Sequence, residues 1–263
     1  MICALYTSFL CITGGLTARS VVLLLGDSND VKTCESLVNA TRCTFSKSLA
    51  AACFENATLV CIAQYLHGFV YPQWPVGRIR RHSWEPHDPV ARMADILREA
   101  QRSFGAPTLV TLTLGVWESV ACEMTPGNIQ MLFNRTWVEK VEHLVRSARA
   151  ILRPNTRLAW VTQHHSNPRY RKHTFLPTQM CRNALLQQIS LLGTHVACRT
   201  ALPVIDWRGT ACRHDFPFED SVHFKDEAYR SRLDLLLSFS PSAGVSACEV
   251  VTDFCPRGNQ HVC

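Results

Sequence analysis

Ser28, Asp220 and His223 are far apart in this 263-residue chain, yet they are the three side-chain types that nucleophilic acyl transfer requires. A serine hydroxyl attacks poorly until a base takes its proton, and an imidazole is a good base only when an acid fixes its tautomer. Ser28 follows the apolar run Val21–Leu25, which stops abruptly at Gly26-Asp27-Ser28. Asp220 and His223 are three apart in FEDSVHF, just before the last helical pattern. At that spacing in a turn, the carboxylate can reach imidazole Nδ1 while Nε2 faces away toward a serine. Each feature also has a plainer reading. Ser28 suits the cap of a helix that follows a strand, and Asp220 suits the cap of the final helix.

The elements that must position these residues alternate along the chain. Val21–Leu25, Thr58–Tyr65, Thr108–Leu114 and Leu158–Thr162 read as strands, and a fifth is expected within Val196–Ile205, interrupted at Pro203. Helical patterns fall in Glu35–Ala52, from Pro89 to Phe104 behind Asp88, from Gly127 to Leu152, from Leu176 to a stop at Gly193, and from Lys225 to Phe239. The Pro- and aromatic-rich stretch from Gly68 to Pro89 reads as a long loop. This alternation predicts an α/β fold: a three-layer α/β/α sandwich around a mainly parallel five-stranded sheet. Ligands bind at the carboxyl ends of such strands. Ser28 follows strand one, while Gly68 and Gly115 follow strands two and three. Trp117 and the Gln163-His164-His165 run fall at the same edge. Trp117, Gln163 and His164 are therefore candidate substrate contacts, with packing at the strand ends as the alternative.

Gly26-Asp27-Ser28 after the first strand, together with Asp220-x-x-His223 before the last helix, resembles the SGNH/GDSL hydrolases. The resemblance follows the element order from Val21 to about Phe239. It implies Ser28 as nucleophile, His223 as base and Asp220 as orienting acid. The N–H groups of Ser28, Gly68 and Gly115 are the implied donors to an oxyanion. The family's third block reads G-x-N-D, whereas this chain has Gly115-Val116-Trp117-Glu118 and lacks the Asn. The Gly-x-Trp form is more similar to the PC-esterase branch, which implies O-acyl groups on glycans as substrate. That branch often carries an Arg shortly after GDS; here Asn29, Asp30 and Val31 follow. The resemblance implies a serine esterase or O-acyltransferase that needs no metal or cofactor. The rival is a protein of the same fold that binds glycan without turnover, and the missing Asn is what favours it. A metallophosphoesterase is disfavoured because no D-x-H strand precedes Gly26 and no later G-N-H-[DE] occurs. An α/β-hydrolase is disfavoured because Asp30 stands where G-x-S-x-G needs its last Gly.

Composition bounds the setting. A hydrophobic content of 47% with 18% charged residues suits a folded domain rather than a disordered chain. The net charge of +6 is spread without a basic tract, which gives no sign of a nucleic-acid partner and suits an anionic one such as an acidic glycan. Thirteen cysteines with no C-x-x-C pair, and three sequons at Asn39, Asn56 and Asn134, point to disulfides and glycosylation in the secretory pathway. The apolar start reads as a signal peptide over residues 1–18, with a cut after Ala18. A buried first element or a short signal anchor is the alternative, and only the anchor would bring membrane association. Residues 19–240 then form the SGNH-hydrolase-like domain and 241–263 a cysteine-containing tail.

Overall fold

The computed structural model describes residues 20–37, 40–44, 51–55, 58–66, 69, 88–119, 135–167 and 176–239. The expected signal peptide, the tail beyond Phe239, the sequon residues Asn39, Asn56 and Asn134, and the loop residue Gly68 lie outside them.

The strands are β1 (Ser20–Gly26), β2 (Ala40–Thr44), β3 (Ala51–Glu55), β4 (Leu59–Tyr65), β5 (Leu109–Leu112), β6 (Arg157–Val161) and β7 (Val204–Ile205). The helices, in chain order, are α1 (Ser28–Glu35), α2 (Pro89–Phe104), α3 (Val116–Ser119), α4 (Arg135–Ile151), α5 (Leu176–Arg199), α6 (Trp207–His214) and α7 (Asp226–Ser238). One seven-stranded sheet has the order β2-β3-β4-β1-β5-β6-β7. From β4 to β7 every pairing is parallel, which is the five-stranded block expected from the sequence. The antiparallel strands β2 and β3 extend it at one edge.

β1 lies at the centre, and its apolar run is buried on both sides. Val21, Leu23 and Leu25 face one core, built with Met93 and Leu97 of α2, Val141 and Leu144 of α4, and Ile189 of α5. Val22 and Leu24 face the other, built with Cys34 of α1, Trp207 of α6, and Tyr229, Leu233 and Leu236 of α7. Period-two alternation within an unbroken apolar run is what a doubly covered parallel strand requires. Burying each Val or Leu side chain stabilises the fold by about 1.5–3 kcal/mol. The strand order reverses across β1, with β4 on one side and β5 on the other. In open parallel sheets such a switch point is where ligands bind, at the carboxyl ends of the strands, and Ser28 follows directly.

Three segments differ from the sequence-based expectation. Of the helical pattern expected over Glu35–Ala52, the helix has already ended at Glu35, and β2 and β3 follow. Cys43 pairs with Cys53, and Cys53 with Cys61, across neighbouring strands. Disulfides join Cys43 to Cys53, and Cys34 of α1 to Cys61 of β4. Cys198 and Cys212 are also disulfide-bonded. Helix α5 runs through Gly193 instead of stopping there, because a Cβ on Gly193 would lie 2.3 Å from Trp160 Cζ2. Gly193 thus serves close helix–sheet packing rather than termination. The strand expected within Val196–Ile205 is consequently only Val204–Ile205, and Val196 and Ala197 are buried helical residues.

Candidate active site

The turn from β1 into α1 is held by its own acidic residues. Asp27 caps the helix: its Oδ1 accepts from Asn29 N–H at 2.7 Å and from Asn29 Nδ2 at 2.8 Å. Its Oδ2 accepts from Gln163 Nε2 at 2.9 Å. Asp30 closes the box by accepting from Asp27 N–H at 3.0 Å. Ser28 is therefore the first helical residue and not the cap, so its hydroxyl is left for other work. Gly26 is required by crowding, since a Cβ there would meet Asp30 Oδ2 at 2.0 Å and Thr113 O at 2.8 Å.

The loop before α7 is a small hairpin pinned by the Phe218–Phe224 bridge. Asp220 Oδ1 accepts from the N–H groups of Val222 and His223, both at 2.8 Å. Its Oδ2 then meets His223 Nδ1 at 2.7 Å, and His223 Nε2 lies 2.6 Å from Ser28 Oγ. With Nδ1–H donated to the carboxylate, Nε2 carries the lone pair that accepts from the serine hydroxyl. Burial pushes the Asp220 carboxyl up, but the bonds from the His223 ring and the two N–H groups outweigh it and hold the group below its ordinary value. Asp220 does not cap α7, whose N-cap is Lys225 with no side-chain bond. The loop rests on aromatic rings: Phe224 packs on Phe218 at 4.3 Å and on His164 at 4.7 Å.

A second layer ties the serine turn to the histidine loop. Tyr229 of α7 donates its hydroxyl to Asn29 Oδ1 at 2.8 Å and accepts from Phe224 N–H at 3.0 Å. Arg232, one helical turn on, places Nη2 at 2.7 Å from Asp30 Oδ1 and Nη1 at 3.1 Å from Thr33 Oγ1. Arg232 and Asp30 are both fully buried. Burial pushes the Asp30 carboxyl up to about 6, with Arg232 opposing the rise. At the rim, Lys32 of α1 pairs with Glu219 of the histidine loop.

The other residues singled out by sequence fall in different places. Gln163 is buried, and its Nε2 donates to Asp27 Oδ2. His164 is buried, and its Nε2 donates to Val222 O at 2.9 Å; desolvation pushes its pKa down to about 3, so it is neutral. Gln163 Oε1 and His164 Nδ1 have no hydrogen-bond partner among the described residues. Trp117 is the second residue of α3. Gly115 has φ +138°, and a Cβ there would press on Ile189 Cγ2 at 2.9 Å. No acceptor among the described residues meets Ser28 N–H, which sits unpaired at the helix N-terminus. Asn29 donates through Nδ2 to Asp27 and accepts at Oδ1 from Tyr229. Sequence reasoning missed Arg232, Tyr229 as an anchor, and Glu118. The signal for Arg232 was a charged residue inside the apolar stripe of Tyr229, Leu233 and Leu236.

No family model matches the chain, and no curated protein matches it in sequence. Among solved structures it is similar to an extracellular lipase from Streptomyces rimosus, at 13% identity and TM-score 0.50 over 84% of this chain and 100% of that one. An acetylxylan esterase from Geobacillus stearothermophilus aligns at 11% identity and TM-score 0.49, over 83% of this chain and 92% of that one. A phospholipase A1 from Streptomyces albidoflavus aligns at 13% identity and TM-score 0.48, over 85% of this chain and 100% of that one. The likeness is one of architecture: this chain has the three-layer α/β/α fold of the SGNH hydrolases.

Proposed function

We propose that this chain is a serine esterase or O-acyltransferase of the SGNH/GDSL type that acts on acyl esters of glycans, acetyl esters foremost. The observation that carries the reading is the continuous relay from Ser28 Oγ to His223 Nε2 at 2.6 Å and from His223 Nδ1 to Asp220 at 2.7 Å. His223 takes the Ser28 proton as Oγ attacks the ester carbonyl. Asp220 stabilises the imidazolium that results. The tetrahedral oxyanion is met by Ser28 N–H at the start of α1, with Gly68 as the second donor of the reading. His223 then returns the proton to the departing alkoxide, leaving an acyl group on Ser28. Water, or a sugar hydroxyl deprotonated by the same imidazole, attacks this acyl-enzyme. The first gives hydrolysis and the second gives transfer. No step calls on a metal or cofactor.

The glycan preference rests on the resemblance carried by Gly115-x-Trp117 and on the net charge of +6, which suits an acidic polysaccharide. The disulfides Cys34–Cys61 and Cys43–Cys53 fit an oxidising compartment, and among the described residues no helix is long and apolar enough to cross a membrane. We read the chain as secreted or lumenal. A second reading, glycan binding without turnover, draws on the missing Asn of the block that begins at Gly115. Purified wild-type protein and Ser28→Ala, assayed on p-nitrophenyl acetate and acetylated xylo-oligosaccharides with and without a free sugar acceptor, separate the two. Turnover that vanishes with Ser28 supports the enzyme. Glycan affinity without turnover in either protein supports the binder.

A further inference from the structure

The carboxylate of Glu118 lies three residues beyond Gly115 and is fully buried. Its Oε1 accepts from Phe69 N–H at 3.2 Å and from Trp137 Nε1 at 3.4 Å. Burial pushes its pKa up, and these donors oppose the rise. Its Oε2 has no hydrogen-bond partner among the described residues. No cation pairs with it among them either. Three separate segments converge on this one side chain. They are the chain after β4, the turn after β5, and the first turns of α4.

We infer that Glu118 is a positioning residue for oxyanion stabilisation, acting as a buried clamp that holds Phe69 against the turn after β5. The inference rests on the esterase reading above and deepens it. Gly68, the second oxyanion donor of that reading, is the residue directly before Phe69. Phe69 N–H belongs to the peptide bond that joins Phe69 to Gly68. In a G-x-N-D block the Asn side chain reaches the oxyanion itself. With Trp117 in that place, the fourth residue of the block works from behind, on the loop that carries the other donor. A preorganised donor is worth far more than one that must be recruited during reaction, so a clamp of this kind bears on rate rather than on substrate affinity.

The clamp depends on reach, not charge, and two variants separate these. Glu118→Asp keeps the charge but withdraws the acceptor from Phe69 and Trp137 by one methylene. Glu118→Gln keeps the acceptor in place and removes the charge. On p-nitrophenyl acetate, the Asp variant should lose on the order of 10–100-fold in kcat with KM little changed, while the Gln variant stays within about threefold of wild type. Amide hydrogen exchange supplies a readout independent of catalysis: Phe69 N–H should be protected in wild type and Glu118→Gln and exchange faster in Glu118→Asp. A Gln variant as slow as the Asp variant or slower, or unchanged Phe69 protection in Glu118→Asp, overturns the clamp. Absence of Ser28-dependent turnover in wild type would count against the esterase reading instead, and the exchange pattern would still decide whether the clamp exists.

Discussion

Replacing Arg232 by Met removes the guanidinium from the buried junction between α1 and α7 while keeping an unbranched apolar stem of similar length. The structure makes the consequence calculable. Asp30 would keep its bond from Asp27 N–H at 3.0 Å and a long contact with Thr113 Oγ1 at 3.5 Å, but lose Nη2 at 2.7 Å. It would remain completely buried with no counter-charge among the described residues. Breaking a buried ion pair by removing one partner costs about 3–5 kcal/mol, because the remaining charge is stranded. For a domain of this size that lowers Tm by about 6–20 °C. The loss has a definite pH dependence. Asp30 already titrates near 6 in the folded state, above its ordinary carboxylate value, and without Arg232 its pKa rises further. Between the unfolded value near 3.8 and the folded one, the native state holds the proton more tightly, so stability falls as pH rises through that window. The deficit of Arg232→Met relative to wild type should therefore be small up to about pH 6, where Asp30 is protonated in both proteins, and should grow as pH rises from there toward the variant's higher pKa. Adding Asp30→Asn should recover much of it, since the stranded charge is then gone. Thermal or urea unfolding from pH 4 to 8 measures all three proteins. A deficit that is flat with pH, or a double variant that simply adds two losses, would refute the ion pair as the feature that joins the serine turn to the last helix.

Asp220→Asn should leave the fold intact, because Oδ1 can still accept from Val222 and His223 N–H groups, yet lower kcat by on the order of 10⁴-fold through the wrong imidazole tautomer. Combining it with Ser28→Ala should cost little beyond Ser28→Ala alone, as kcat/KM on an acetyl ester will report. His164, held neutral by burial with a folded pKa of about 3, takes up a proton on unfolding between that value and 6.5. Its contribution to stability therefore falls as pH drops below 6.5, by about 3 kcal/mol at pH 4, and His164→Phe should flatten the acid limb of a stability–pH curve. Replacing both Cys34 and Cys61 by Ser opens a link with a sequence separation of 27 residues, and denaturant unfolding should show a loss of about 3 kcal/mol.

Much of the fold was legible because local and global signals agree in the elements concerned. Val21–Leu25 is apolar throughout since it is covered on both faces, and Asp88-Pro89 opens α2 with its side chain accepting from Val90 N–H at 3.0 Å. The illegible parts are those where a long-range partner decides. Cys43 and Cys53 read equally well on a helix face until the strand pairing with Cys61 is known. Gly193 looks like a helix stop until Trp160 is found against it. At the site, the types and spacing of Asp220 and His223 were readable because the contact is local, and Ser28 because its strand end is local. The residues behind them were not. Arg232 meets Asp30 across 202 positions of sequence, and Glu118 meets Phe69 across 49. Gln163 and His164 were assigned to the correct edge of the sheet, but the sequence holds no sign that Asp27 and Val222 O engage their polar atoms.

The central claim is that Ser28 is the atom-level acceptor of an acyl group, activated by His223. Rapid acid quench of the protein during turnover of p-nitrophenyl acetate, followed by peptide mass spectrometry, observes that species directly. One acetyl group should appear on the peptide carrying Ser28, and none should form there in Ser28→Ala or His223→Ala. Turnover that continues with no acyl adduct at Ser28, or that survives Ser28→Ala at the wild-type rate, would contradict the account.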